Sequence, residues 1–170
     1  MRCAYSRRGL QATRNPAAAH VRQLKEMAGV CELSIELNPK HAFNYGVRAL
    51  VKTAKGDLEG AMIDLNRGIE ISPKFLGAYV NRGEVKIRLR DFDGAIVDSD
   101  QAIKLDPRNS SGFDNRGSAR LLKGDPERAL GDFNQAIKFN SGNALACANR
   151  AKAKEAKGDF SGAIADCNQR

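Results

Sequence analysis

Tryptophan is absent from the 170 residues, and aromatics of every kind make up only 6% of them. That scarcity argues against a globular core built around bulky rings and favours close packing of small side chains between helices. No stretch approaches the ~18 consecutive apolar residues that a membrane-spanning helix needs. The four cysteines (Cys3, Cys31, Cys147, Cys167) have no CxxC spacing, and His20 and His41 are the only histidines, so no zinc site is expected. An even cysteine count is a weak argument for disulfides in a chain this large, and a reducing cytoplasmic compartment is the expected setting. There is no Gly-rich phosphate loop, neither histidine has the context of a catalytic triad, and every recurring acid has a capping or pairing role. No catalytic activity, cofactor or metal is therefore expected.

The N-terminal stretch carries Arg2, Arg7, Arg8 and Arg14 and meets no acid until Glu26. It lacks the apolar run of a secretory signal. Its composition leaves organellar targeting open, although Ser6 is its only serine. The plain reading of residues 1–20 is a basic, disordered tail.

Hydrophobic residues account for 42% and charged residues for 28%, the balance of an ordinary folded chain. The net charge of +8 admits nucleic acid, an anionic membrane surface or an acidic protein as partner, and does not choose among them.

The strongest signal is an internal repeat with a period of 34 residues. Segments 42–75, 76–109 and 110–143 are each one period, and 144–170 is an incomplete fourth. Asn81-Arg82-Gly83 returns as Asn115-Arg116-Gly117 and Asn149-Arg150-Ala151, with Val47-Arg48-Ala49 in the first copy. Gly56-Asp57, Arg90-Asp91, Gly124-Asp125 and Gly158-Asp159 follow in register, then Ala61, Ala95, Ala129 and Ala163, then Asp64, Asp98, Asp132 and Asp166. Pro39, Pro73 and Pro107 close their units, with Ser141 at the next such place.

Each recurrence has a physical reason. Glycine takes the left-handed conformation that ends one helix, and the following Asp caps the next. Pro126 suits a first helical position, where a missing N–H costs nothing. Small residues at matched places let antiparallel helices approach closely. The closing prolines stop the second helix of each unit.

These units resemble the tetratricopeptide repeat (TPR). Tyr45, Tyr79 and Phe113 fill the family's first aromatic position, and Leu65 and Phe133 occupy the second. The resemblance implies an all-α fold: an α-solenoid of tandem antiparallel helix hairpins in a right-handed superhelix. It covers about three quarters of the chain. Arg48, Arg82, Arg116 and Arg150 stand where the family has Leu, and Lys52, Lys86, Arg120 and Lys154 where it has Tyr. Residues 21–41 read as a degenerate orphan helix, with Lys25 to Pro39 like the second helix of a preceding unit. The last unit stops at Arg170 without a closing Pro or a polar capping helix, which raises the reading that the chain is a regulatory piece of a larger enzyme.

Four constellations follow. Arg48, Arg82, Arg116 and Arg150 recur in step with Asp64, Asp98, Asp132 and Asp166, which predicts a ladder of structural ion pairs; the alternative is a row of anion-binding arginines. Asn81, Asn115 and Asn149 form a ladder of amides on the first helices, which line the concave groove in this family. Amides at matched heights offer donors and acceptors to the main chain of an extended peptide. A similar ladder grips peptide in the TPR superhelix of O-linked N-acetylglucosamine transferases. Glu84, Arg88 and Lys152 face the same way, beside Phe43, Val80, Leu145, Leu50, Ile87, Asp114 and Glu155, a surface suited to a peptide with apolar anchors and charges. The alternative is that each Asn bonds within its own array.

The third constellation is a basic stripe, comprising Arg48, Lys52, Lys55, Arg82, Lys86, Arg116, Arg120, Lys123, Arg150, Lys154 and Lys157. Read actively it is a nucleic-acid surface, though the stacking aromatics of such surfaces are missing. The fourth is Cys147 with Cys167, placed at core positions that face each other across the last hairpin, where other units put Tyr45 with Leu65 or Phe113 with Phe133. They are buried thiols or, in an oxidising compartment, a disulfide. The carboxylate clamp by which some TPR domains hold chaperone C-termini is not expected, because its positions hold Gly46, Leu50 and Gly77. The leading function is a protein–protein interaction scaffold or adaptor with a peptide in the groove; a nucleic-acid-binding array is the rival.

Overall fold

The computed structural model describes residues 16–167. They form helices α1 (Pro16–Leu37), α2 (Ala42–Lys55), α3 (Leu58–Ile71), α4 (Leu76–Arg88), α5 (Phe92–Leu105), α6 (Ser110–Leu122), α7 (Pro126–Phe139), α8 (Ala144–Ala156) and α9 (Phe160–Cys167), with no strand among the described residues. The architecture is an all-α solenoid of helical hairpins. α1 begins at Pro16, so residues 16–20 belong to a helix and not to the tail. A proline at the first position followed by Ala17-Ala18-Ala19 is strong helix-starting chemistry. The rest of the basic tail, residues 1–15, lies outside the described residues.

The hairpin turns follow from local chemistry. Gly56, Gly124 and Gly158 adopt φ of 83°, 85° and 81°, the left-handed geometry that ends α2, α6 and α8. Asp57, Asp91 and Asp125 then cap α3, α5 and α7, each carboxylate accepting from the backbone N–H three residues on. Asn109 and Asn143 cap α6 and α8 in the same manner, accepting from the Gly112 and Ala146 N–H groups. The second helices end two residues before Pro39, Pro73 and Pro107. Tyr45 and Tyr79 donate their hydroxyls to the carbonyls of Pro39 and Pro73, tying each first helix to the loop before it.

The core is made of small residues. Ala49, Ala61, Ala78, Ala95, Ala102, Ala119, Ala129, Ala136, Ala146 and Ala153 are wholly buried, and Phe133 and Leu65 are the largest fully buried side chains. Phe113 and Phe133 do not meet across their hairpin. Phe113 packs with Ala136, Ala146 and Phe139, whereas Phe133 joins Ala129 and Ala153. The reason is Gly117: the Phe133 ring occupies the space a side chain there would need, 2.7 Å from an ideal Cβ. Cys31 and Cys147 are free thiols; the side chain of Cys167 lies outside the described residues.

Consecutive first helices touch one another, α2 with α4, α4 with α6 and α6 with α8, while the second helices of neighbouring units make no such contact among the described residues. Helices on the inside of a bend converge and those on the outside diverge. The first helices therefore form the concave wall of the array.

Candidate functional site

The outer side of each hairpin is a closed ionic network. Arg48, Arg82, Arg116 and Arg150 each reach the Asp sixteen residues on, with Nη2–Oδ1 distances of 2.6, 2.6, 2.7 and 2.6 Å to Asp64, Asp98, Asp132 and Asp166. A second cation one helical turn later joins the same carboxylate: Lys52 at 2.9 Å, Lys86 at 2.8 Å, Arg120 at 2.7 Å and Lys154 at 2.9 Å. Three of the arginines also reach backwards, Arg82 to Asn66, Arg116 to Asp100 and Arg150 to Asn134, so each bridges the second helices of two successive units. Arg48, Arg82 and Arg116 lie over Tyr45, Tyr79 and Phe113 as well, 5.7, 5.6 and 5.3 Å from those ring centroids. The four aspartates are buried. Burial opposes ionisation of Asp64 and Asp166, yet the hydrogen bonds from Arg48 with Lys52 and from Arg150 with Lys154 outweigh it and hold both carboxyls below their ordinary range.

Two more members of the basic stripe are paired between units, Lys123 with Asp93 and Lys157 with Glu127. Ten of the stripe's eleven cations are thus engaged by the chain's own acids, but only seven acids serve them among the described residues, so the stripe keeps a net positive charge.

The concave side differs. α4, α6 and the start of α8 enclose a groove of about 440 Å³. Its apolar walls are Val80, Ile87 and Leu145. Its polar lining comprises Asn81, Glu84, Arg88, Ser111, Asp114, Asn115, Ser118 and Asn143. The structure therefore brings Asn81, Asn115, Glu84 and Arg88 to one cavity. It does not bring Asn149 and Lys152 there. Lys152 lines a separate apolar concavity between α8 and α9 with Ala148, Ala151, Glu155, Phe160, Ala163 and Ile164.

The asparagine ladder also has a second task. The Asn115 amide donates to the Val80 carbonyl at 2.8 Å, one unit back. Asn149 donates to Ser118 Oγ at 3.2 Å and to Asp114 Oδ1 at 3.4 Å, again one unit back. Two of the three amides thus join neighbouring first helices, because the curvature places them within reach of the preceding unit. Arg88 is held by Glu84 at 2.7 Å on the same helix face. Asp114, which the sequence places only among the groove's mixed charges, is 6% exposed and forms no ion pair among the described residues. Burial raises its pKa, partly offset by the Asn149 bond. The signal is present in the repeat alignment, where this position holds Gly46, Val80 and Ala148 elsewhere.

Among the described residues no helix is long and apolar enough to cross a membrane.

A tetratricopeptide repeat model matches residues 76–109. A search of curated proteins returns no match. Solved structures show the same architecture. TTC0263, a thermophilic TPR protein of Thermus thermophilus, superposes with a TM-score of 0.77 at 17% identity, over 88% of this chain and 82% of that one. MamA gives 0.71 at 16% identity, over 84% and 83%. The first TPR of Spaghetti (RPAP3), bound to the HSP90 peptide SRMEEVD, gives 0.66 at 21% identity, over 69% and 94%. Residues 76–109 are a tetratricopeptide repeat, and the described chain has the fold of a tetratricopeptide array.

Proposed function

We propose that the protein is a non-catalytic interaction scaffold that holds an extended peptide or partner segment in the groove of α4, α6 and α8. The observation that carries this reading is the contrast in charge and polarity between the two faces. The outer ladder pairs its cations with buried aspartates and keeps a positive excess, whereas the groove presents apolar walls beside amides, hydroxyls, two carboxylates and one guanidinium. Pockets with apolar walls and a few placed polar groups are where ligands orient. The side chain of Asn81 lines the groove and makes no hydrogen bond among the described residues, so its amide is the member of the ladder best placed to meet a peptide main chain. The RPAP3 complex with an HSP90 peptide supports peptide binding by an array of this shape. An acidic segment of that kind would meet Glu84 and Asp114 here, so a different class of peptide is favoured.

Ten of the stripe's eleven cations are already held by the chain's own acids, which weighs against the nucleic-acid reading, since side chains so engaged are not free to meet phosphate. The test is selection of peptides from a random displayed library, followed by titration against the parent and an Asn81→Ala/Leu145→Glu variant. Both residues line the groove, and Leu145 is exposed. Affinity should fall roughly tenfold or more in the variant, with its melting temperature unchanged. Equal affinity would move the site to another face, and salt-sensitive retention of nucleic acid alone would replace the reading.

A further inference from the structure

Asp114 is placed where the fold does not need an acid. The equivalent positions on α2, α4 and α8 hold Gly46, Val80 and Ala148. Nor is its bond to Asn149 required to join the units. The equivalent amide of Asn115 reaches a backbone carbonyl, that of Val80, at 2.8 Å, and the Asn149–Asp114 contact is a long 3.4 Å. Charge-assisted bonds are ordinarily shorter than that.

A buried carboxylate without a cationic partner is unfavourable in its ionised form. No Lys or Arg among the described residues pairs with it, and Arg88, the one cation among the described residues lining the groove, is engaged by Glu84. The groove therefore holds two acids against one arginine, a local excess of negative charge in a chain whose net charge is +8. Val80, Ile87 and Leu145 line the same cavity as Asp114 with apolar surface, and Ser111 and Ser118 add hydroxyls. Lysine and arginine side chains have the complementary form, an apolar stem ending in a charged donor head.

We propose that Asp114 is the specificity-determining residue of the groove and takes the Lys or Arg side chain of the bound segment. This assignment rests on the reading of the groove as a peptide site. It makes the partner segment basic at one position and apolar around it.

The experiment uses peptide pools of random sequence in which one central position is fixed as Lys, Arg, norleucine, Gln or Glu. Each pool is titrated against the parent, Asp114→Asn and Asp114→Val. The valine variant restores the residue that the preceding unit already accommodates at Val80, and leaves Asn149 a backbone acceptor like the one Asn115 uses. The parent should retain the Lys and Arg pools roughly tenfold better than the norleucine and Gln pools. Both variants should still bind peptide, with the preference for a cation gone. Equal retention of Lys and Gln pools by the parent, or the same preference in Asp114→Asn, overturns the assignment and leaves the groove a peptide site. Retention of no pool by the parent overturns both.

Discussion

The hairpins α4/α5 and α6/α7 share one skeleton and one ionic network, yet the same residue type does different work in each. Gly83 and Gly117 occupy the same place in the repeat. A Cβ at Gly83 would sit 3.5 Å from its nearest neighbours, the Ser99 hydroxyl and the Asn115 amide, which is ordinary contact. A Cβ at Gly117 would lie 2.7 Å from the Phe133 ring. The turn differs too, Gly124 being replaced by Arg90, which holds φ of 63°. The groove position differs again, Val80 against Asp114. What repeats in sequence builds the array, and what departs from the repeat differentiates its units.

The largest effect should come from the part the two hairpins share. Truncating both Arg116 and Arg120 to Ala strands Asp132 in a buried site without a cation. The expected loss is about 3–5 kcal/mol of stability, measured by urea denaturation. The matched pair Arg82→Ala/Lys86→Ala should cost a similar amount, because Asp98 is clasped in the same way. A large disparity would show that the network is not equivalent between units. A single Arg116→Ala should cost less than the double variant, since Arg120 stays on Asp132.

The glycines should separate the hairpins. Gly117→Ala forces a Cβ into a fully buried ring and should lose about 1–3 kcal/mol. Gly83→Ala meets no obstruction and gains helix propensity, so its stability should hold or rise by up to about 1 kcal/mol. Thermal melts of the two variants side by side check this, and equal losses would refute the role given to Phe133.

The turn should give the smallest effect. Arg90 is the one non-glycine among the described residues with positive φ. Left-handed geometry strains a side chain that has a Cβ. Arg90→Gly should therefore raise the urea midpoint by an amount equivalent to about 1 kcal/mol, reduced somewhat by the freer unfolded chain. A fall in the midpoint would mean that the Arg90 guanidinium over the Phe92 ring, at 5.9 Å, outweighs the backbone strain.

Much of the fold is legible in the sequence because its signals are local. A glycine followed by Asp ends one helix and begins another within a few residues, and the pattern recurs at a constant interval. Some local signals are easily missed even so: Asn109 and Asn143 are caps of the same type as Asp57, and Pro16 opens α1 ahead of the boundary expected at residue 21. The groove is legible only in part. Asn81, Asn115, Glu84 and Arg88 share one cavity, but Lys152 lies in another and Asn149 turns back to the preceding unit. Those outcomes depend on how neighbouring hairpins are inclined, which no single unit encodes.

By itself the amino-acid sequence determined the period, the hairpins and the small-residue core, since each follows from backbone preferences and side-chain size within one unit. The tertiary structure alone decided which residues face each other between units: that the amides of Asn115 and Asn149 tie first helices together, that Phe133 fills the space beside Gly117, and that Asp114 stands without a counter-ion among the described residues. These are properties of surfaces brought together by curvature, and side chains about a full repeat apart meet only once the array has bent.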